Sequence, residues 1–415
     1  MLPLADRRAR GIVAAAFVLL ATVQLVRLAA MSLGTGVYDE DFRQEYCLAR
    51  ALAAGEPLYE PMPVMIARYI DGPAGLAMPT SPNHPPPAAL LALPLAAVGY
   101  PTAARLWLAL QLLLLGWTIQ CLARELGWGR EVGWIGVAAA VVWTPVALDL
   151  QVGNLHVALL ATLVASWRAW RRGRALEAGA WLGLGTAIKL VPGYLVLYLL
   201  LRREWRAVAA AVVVCAGLAL GVTLLAGPAI WPDFVSALGT SIGVYQEEGF
   251  NVSLFGMLHR LTHGVRDIGP LLPGVGDGWI TVAAAVVLLG PALIAAARPA
   301  PAQDPPSDLD WALFVTAIVL VTPLAWHHSY ALLVLPILLL GRQLVPGGLR
   351  PVHAVVLLGL TVPVELLAMA VRALATGLGV VPGGVAPGVV GLPYVVPTVA
   401  CLAGFVALAR MRLRA

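Results

Sequence analysis

Few residues in this chain are able to do chemistry, and they are widely spaced. A carboxylate run, Asp39-Glu40-Asp41, follows the first long apolar stretch. His84 precedes Pro85-Pro86-Pro87, Gln151 and Asn154 lie three apart, and Lys189 is the only lysine among 27 basic residues. Glu247, Glu248 and Asn251 come before His259-Arg260, and His327-His328 form an imidazole pair. Carboxylates accept protons, imidazoles accept or donate them, and lysine or arginine holds an anion such as a phosphate. Each residue also has a structural use. Asp39 and Asp41 either stand above a membrane as reactive groups or cap a helix and complement its dipole. His84 serves a site or simply belongs to a loop stiffened by proline. Gln151 and Asn154 hold a substrate hydroxyl from one helix face or cap a turn. Lys189, deep in an apolar run, needs either a phosphate or a buried glutamate. Adjacent histidines point in different directions on a helix and no carboxylate follows them, so no metal site is expected at His327-His328.

The elements that must position these groups follow from composition. Hydrophobic residues make up 60% of the 415-residue chain and charged ones 12%, which excludes an ordinary soluble enzyme. The charges gather in short clusters between long apolar stretches, the pattern of a bilayer protein. Arginines 7, 8 and 10, then 124 and 130, 168 to 174, 202 to 206, and 410 to 414 mark cytoplasmic segments, because basic loops stay inside. The expected fold is an all-α polytopic membrane protein with about 11–13 transmembrane or partial-span helices. It forms one domain over 1–415, with both termini cytoplasmic and two long extracytoplasmic loops, 32–85 and 228–278. Residues 38–55 read as an interfacial helix, with acids in the first turn and Gly55 after the end. Residues 132–148 and 154–167 form a hairpin with Gln151 and Asn154 at its tip, and two short helices meet near Lys189 and Pro192. Two further spans are expected near 352–372 and 391–409. This topology gathers the carboxylates, imidazoles and Lys189 toward the outer face, where ionisable groups are costly unless used or paired. Basic residues form no stripe, so nucleic acid is not an expected partner. Cys47, Cys121, Cys215 and Cys401 are too far apart for a disulfide framework or a zinc site. No glycine-rich phosphate loop or nucleophile elbow is present.

In order along the chain, Asp41-Phe42 with Tyr46, Gly55-Glu-Pro-Leu-Tyr59, Pro85-Pro86-Pro87, Gly153-Asn154, Ala187-Ile-Lys189-Leu-Val-Pro192, Asn251-Val-Ser253-Leu and Thr322-Pro-Leu-Ala-Trp326-His327-His328 carry a resemblance. The sequence resembles the membrane-embedded type-C glycosyltransferases, most closely glycosyltransferase family 87, the polyprenyl-phosphate-mannose-dependent mannosyltransferases. Where that family has Gly-Gln-x-Asn, this chain has Gln151-Val-Gly153-Asn154-Leu-His156, which leaves Gln151 outside the pattern. The resemblance implies an inverting transfer of mannose from a polyprenyl-phosphate donor to a glycolipid or glycan acceptor of the cell envelope. The reaction would lie on the extracytoplasmic side of the plasma membrane. Asp41 would be the base, and Lys189, Arg260, His327 and His328 would face the donor phosphate. Asp39, His84, Gln151, Asn154, Glu248 and Asn251 would contact substrate. No cofactor and no metal are implied. Another lipid-linked pentose or hexose is the nearest alternative. A lipid or sugar transporter or flippase is the next, although its polar groups should lie near the midplane of two repeated halves.

Overall fold

The computed structural model describes residues 4–73, 80–245, 251–263, 277–299, 305–344 and 387–414. Regular structure there is helical, and no strand occurs among the described residues. The chain divides into two compact units, Met1–Ser241 and Ile242–Ala415.

The first unit opens with α1 (Leu4–Leu33), followed by a 3-10 turn at Thr35–Asp39 and by α2 (Arg43–Ala54), α3 (Met62–Tyr69) and α4 (Ala88–Ala92). A second 3-10 turn, Leu93–Ala97, leads into α5 (Tyr100–Glu125). Next, α6 (Arg130–Val142) and α7 (Thr144–Val152) bend by 68° at Trp143. Pro145 lies in the first turn of α7, where its missing N–H costs the new helix nothing, so the chain restarts in another direction. Three short helices, α8 (His156–Arg171), α9 (Ala175–Ile188) and α10 (Tyr194–Leu201), precede α11 (Trp205–Ala226) and α12 (Ile230–Tyr245).

Small residues set the position of α9. Gly179 and Gly183, one turn apart, lie so close to α11 that a Cβ on either would collide with the Ala207 or Ala211 carbonyl. Such small-xxx-small contact lets helix backbones approach without a hydrophobic driving force. On the other side, Ser166 Oγ of α8 donates to Ala178 O at 2.6 Å. The turn between α8 and α9 needs Gly173 at φ +68°. Because α8 and α9 form an antiparallel hairpin, the end of α9 returns to the start of α8. Lys189 therefore comes back to His156.

The second unit holds α13 (Leu254–His263), α14 (Asp277–Ala297) and α15 (Pro305–Val321). A 3-10 segment, His327–Leu333, then runs into α16 (Val334–Leu344), and α17 (Pro387–Arg414) is the last helix. The buried Arg412 guanidinium donates from Nε to Asp310 Oδ1 at 2.6 Å, and its NH2 also reaches the Arg298 carbonyl, which ties α17 to α15.

Among the described residues four helical stretches are long and apolar enough to cross a membrane: Gly11–Leu33, α5, α11 and Gly278–Ala297. The bent α6–α7 pair makes a fifth crossing if it is one span. Shorter apolar stretches, Ala88–Ala97, Ala175–Ile188, Val191–Leu201 and His327–Leu340, have the length expected of partial spans. The span expected near 352–372 lies outside the described residues. On α11, Val213 and Leu224 are 69% and 77% exposed, which for large apolar side chains marks a lipid-facing surface in a multi-pass membrane protein.

Candidate active site

Asp41 sits, partly exposed, in the short link between the first 3-10 turn and α2. Its N–H donates to Val152 O at 2.6 Å, and the Phe42 N–H reaches the same carbonyl at 3.3 Å. The link is thereby fixed to the last turn of α7. These bonds draw residues 39–41 away from the expected helix, which begins at Arg43 and not at Tyr38. The acids therefore do not cap it, and no side chain does. The helix is also more enclosed than an interfacial one, with every residue from Phe42 to Ala49 buried. Gly55 ends it in the left-handed region at φ +69°, as expected.

Helix α7 stops at Val152 because Gly153 turns to φ +66°. A Cβ there would lie 3.0 Å from Phe42 Cβ, so glycine is required by conformation and by space. This reversal takes Asn154 off the helix and aims Nδ2 at Asp41 Oδ2, 3.0 Å away. The Leu155 N–H donates to Asn154 Oδ1 at 2.7 Å, which fixes the way the amide faces. Trp107 of α5 donates to Gly153 O at 2.7 Å and stacks on Phe42 with ring centroids 5.3 Å apart. The shared helix face expected for Gln151 and Asn154 is thus absent. Gln151 Oε1 instead accepts from Arg27 of α1 at 2.6 Å.

Burial pushes the Asp41 carboxyl above the ordinary aspartate range, and the Asn154 hydrogen bond opposes that shift. Glu40 is pushed up to about 8 by burial, with Arg43 opposing and Asp41 adding to it. Asp39 lies exposed at the end of the 3-10 turn.

A second group stands at the same end of the α8–α9 hairpin. Lys189 Nζ lies 3.0 Å from His156 Nε2, and His156 Nδ1 lies 3.1 Å from Asp149 Oδ1. A third group pairs the buried His84 Nδ1 with Glu45 Oε1. The His84 carbonyl accepts from Tyr59 at 2.8 Å, so the residue is held by main chain and ring alike. Glu45 adds to the upward shift of Asp41 and Lys189 opposes it, both less than burial and the Asn154 hydrogen bond do.

In the second unit Asn251 is fully buried, and its amide is used at both ends. Nδ2 donates to Pro323 O at 2.8 Å, while Oδ1 accepts the Ser253 and Ala325 N–H groups at 3.1 and 3.2 Å. The amide of Asn251 thus forms an internal clasp between residues 251–253 and 323–325. Arg260 is buried and donates to Asn251 O at 2.7 Å. Val252 O accepts from Tyr330 and Thr398 at 2.9 and 2.7 Å. His327 and His328 open the 3-10 segment after Trp326, both buried. Glu248 lies outside the described residues.

Sequence reasoning passed over Asp149, His156 and Glu45. For Asp149 and His156 a signal existed, since an acid and an imidazole seven residues apart in an apolar run must find partners. Glu45 carried no such signal, because on an open helix it would be an ordinary solvent-facing acid.

Two proteins of Mycobacterium tuberculosis are similar to this chain. The polyprenol-phosphate-mannose-dependent alpha-(1-2)-phosphatidylinositol mannoside mannosyltransferase is 27% identical over 373 residues, 84% of this chain and 82% of that protein. The polyprenol-phosphate-mannose-dependent alpha-(1-2)-phosphatidylinositol pentamannoside mannosyltransferase is 28% identical over 262 residues, 61% of this chain and 56% of that protein. The crystal structure of ArnT from Cupriavidus metallidurans bound to undecaprenyl phosphate aligns with 94% of this chain and 77% of its own, at 16% identity and a TM-score of 0.35. A superposition that loose assigns no role to any residue. The profile of Glycosyltransferase family 87 matches residues 83–323, more than half of the length, and the chain belongs to that family.

Proposed function

We propose that this glycosyltransferase transfers a mannosyl group, with inversion, from a polyprenyl-phosphate carrier to a hydroxyl of a cell-envelope glycolipid or glycan on the extracytoplasmic side of the plasma membrane. The observation that supports the reading is a partly exposed carboxylate, Asp41, oriented by Asn154 and close enough to Lys189 for the ammonium to favour its ionised form. Asp41 takes the proton of the acceptor hydroxyl, whose oxygen bonds to the sugar C1 as the bond from C1 to the phosphate oxygen breaks. Polyprenyl phosphate leaves with both electrons of that bond. A carboxylate raised above its ordinary range is a better base at neutral pH, provided it has lost its own proton. Asn154 stabilises the ionised form and fixes where its oxygens point. Lys189 faces the negative charge that grows on the phosphate, where a preset cation lowers the barrier.

Mannose is the first choice of sugar because both relatives carry mannosyltransferase names. Arg260, His327 and His328 enter as phosphate contacts on the sequence resemblance alone. Purified protein incubated with polyprenyl-phosphate mannose and membrane glycolipids should yield a product heavier by one hexose. Transfer from another lipid-linked sugar but not from this one would exclude the mannose assignment. Sidedness has its own test. A cysteine replacing Ala54 should react with an impermeant thiol reagent from outside, and one replacing Arg174 should not; the reverse pattern would invert the topology.

A further inference from the structure

Lys189 is held by a chain of groups that the transfer chemistry does not itself require. Its ammonium lies 3.0 Å from His156 Nε2, and the far side of the same imidazole lies 3.1 Å from Asp149 Oδ1. An ammonium can only donate, so Nε2 must accept, and the ring proton must reside on Nδ1, facing the carboxylate. Asp149 is anchored in turn. Oδ1 accepts the His156 N–H at 3.3 Å and Oδ2 the Val157 N–H at 2.9 Å, which pins the carboxylate to the first turn of α8. Gln111 of α5 approaches Oδ2 at 3.5 Å. Asp149 is fully buried and His156 nearly so, whereas Lys189 is partly exposed.

The imidazole acts as a spacer. Were the lysine paired directly with Asp149, the buried carboxylate would claim the charge. With the ring between them, one N–H of the ammonium is spent on Nε2 and the other two are left for further partners. Lysine has a flexible four-carbon stem, and fixing one donor removes much of that freedom before any anion arrives.

We propose that Asp149 and His156 are positioning residues that hold Lys189, through the Nδ1-protonated imidazole, in the orientation that meets the donor phosphate. The inference rests on the assignment of Lys189 to that phosphate given above.

The test is a double-mutant cycle on the purified full-length protein, reading kcat and KM for polyprenyl-phosphate mannose and thermal unfolding for each variant. His156→Met keeps the bulk and removes the acceptor, and it should lower kcat about 10-fold or more. Lys189→Ala should lower it more strongly, and adding His156→Met to Lys189→Ala should change kcat by no more than about 2-fold, since the lysine to be positioned is gone. His156→Gln, whose amide oxygen can accept from the ammonium, should restore part of the loss. Asp149→Asn keeps the shape but presents an amide N–H to Nδ1, which favours the other tautomer and turns an N–H toward the lysine. It should therefore mimic His156→Met, and it carries the same cycle should His156→Met fail to fold. Multiplying effects of the position-156 or position-149 change and Lys189→Ala would overturn the inference while leaving the phosphate assignment standing. A folded Lys189→Ala protein with unchanged kcat and KM would overturn the phosphate assignment and this inference with it.

Discussion

Two regions use their buried polar side chains differently: the surroundings of Asp41 and Lys189 in the first unit, and the surroundings of Asn251 in the second. In the first, side chain meets side chain: Asn154 with Asp41, Lys189 with His156, His156 with Asp149, His84 with Glu45. In the second, side chain meets main chain: Asn251 with Pro323, Ser253 and Ala325, Arg260 with Asn251, Tyr330 and Thr398 with Val252. Main-chain partners are fixed by the fold and cannot titrate, so such bonds set shape and tune no charge. Carboxylate, imidazole and ammonium partners tune one another's charge, which is what proton transfer and anion binding need. The contrast teaches that the residues named from sequence motifs fall into a reactive set and a clasp, although their residue types look alike.

Four substitutions test that division, in decreasing order of their effect on turnover. Asp41→Asn keeps the shape and removes the basic oxygen, so turnover should fall about 10²-fold or more with folding and donor binding intact. Near-normal turnover, with a large loss in Asp39→Asn or Glu40→Gln instead, would move the base along the run. Asn154→Ala removes the donor that stabilises ionised Asp41, and turnover at neutral pH should drop about 10-fold. The sign with pH is fixed. Losing that bond raises the Asp41 pKa further, the proton is retained to higher pH, and the acid limb of kcat/KM should move upward. A limb that stays or moves down would separate Asn154 from the base. Gly153→Ala forces a Cβ into a left-handed residue pressed against Phe42, costing about 1–2 kcal/mol. Its turnover should fall about 3-fold as Asn154 is displaced. Thermal unfolding read beside turnover would show both, and an unchanged unfolding temperature would mean that the turn tolerates the side chain. Asn251→Ala should do the reverse of Asp41→Asn. It strands three buried backbone groups at a cost of about 3 kcal/mol, so the protein should melt several degrees lower while the folded fraction turns over within about 2-fold of the original. A large loss of turnover without a loss of stability would make Asn251 a substrate contact after all.

What the sequence disclosed follows from how local each signal was. The basic turn between α8 and α9 was legible because arginines 168 to 174 mark it, and the break after Lys189 because Pro192 follows. The start of α2 was not, because the acids of residues 39–41 look like a helix N-terminus until Val152, more than a hundred residues away, takes the Asp41 and Phe42 N–H groups. Asn154 was singled out without its Asp41 partner for the same reason. Its bond to Asp41 spans 113 positions, and it depends on a left-handed glycine that the pattern of apolar residues does not reveal. The clasp of Asn251 was not legible either, because a sequence displays the amide and hides the carbonyls and N–H groups that a fold brings to it.

The shortness of α8 and α9 has a consequence for the membrane itself. Sixteen and fourteen helical residues rise about 24 and 21 Å, roughly 6–9 Å less than the ~30 Å hydrocarbon slab. With the arginines of the hairpin turn at one headgroup plane, helices of this length leave the open end with His156 and Lys189 short of the other. Either the bilayer dimples toward that end or the carrier's phosphate sinks to it. If Lys189 meets the carrier phosphate as proposed, acyl-chain length becomes a variable of the reaction: bilayers of short-chain lipids bring the headgroup level down to Lys189, and thick ones hold the phosphate above it.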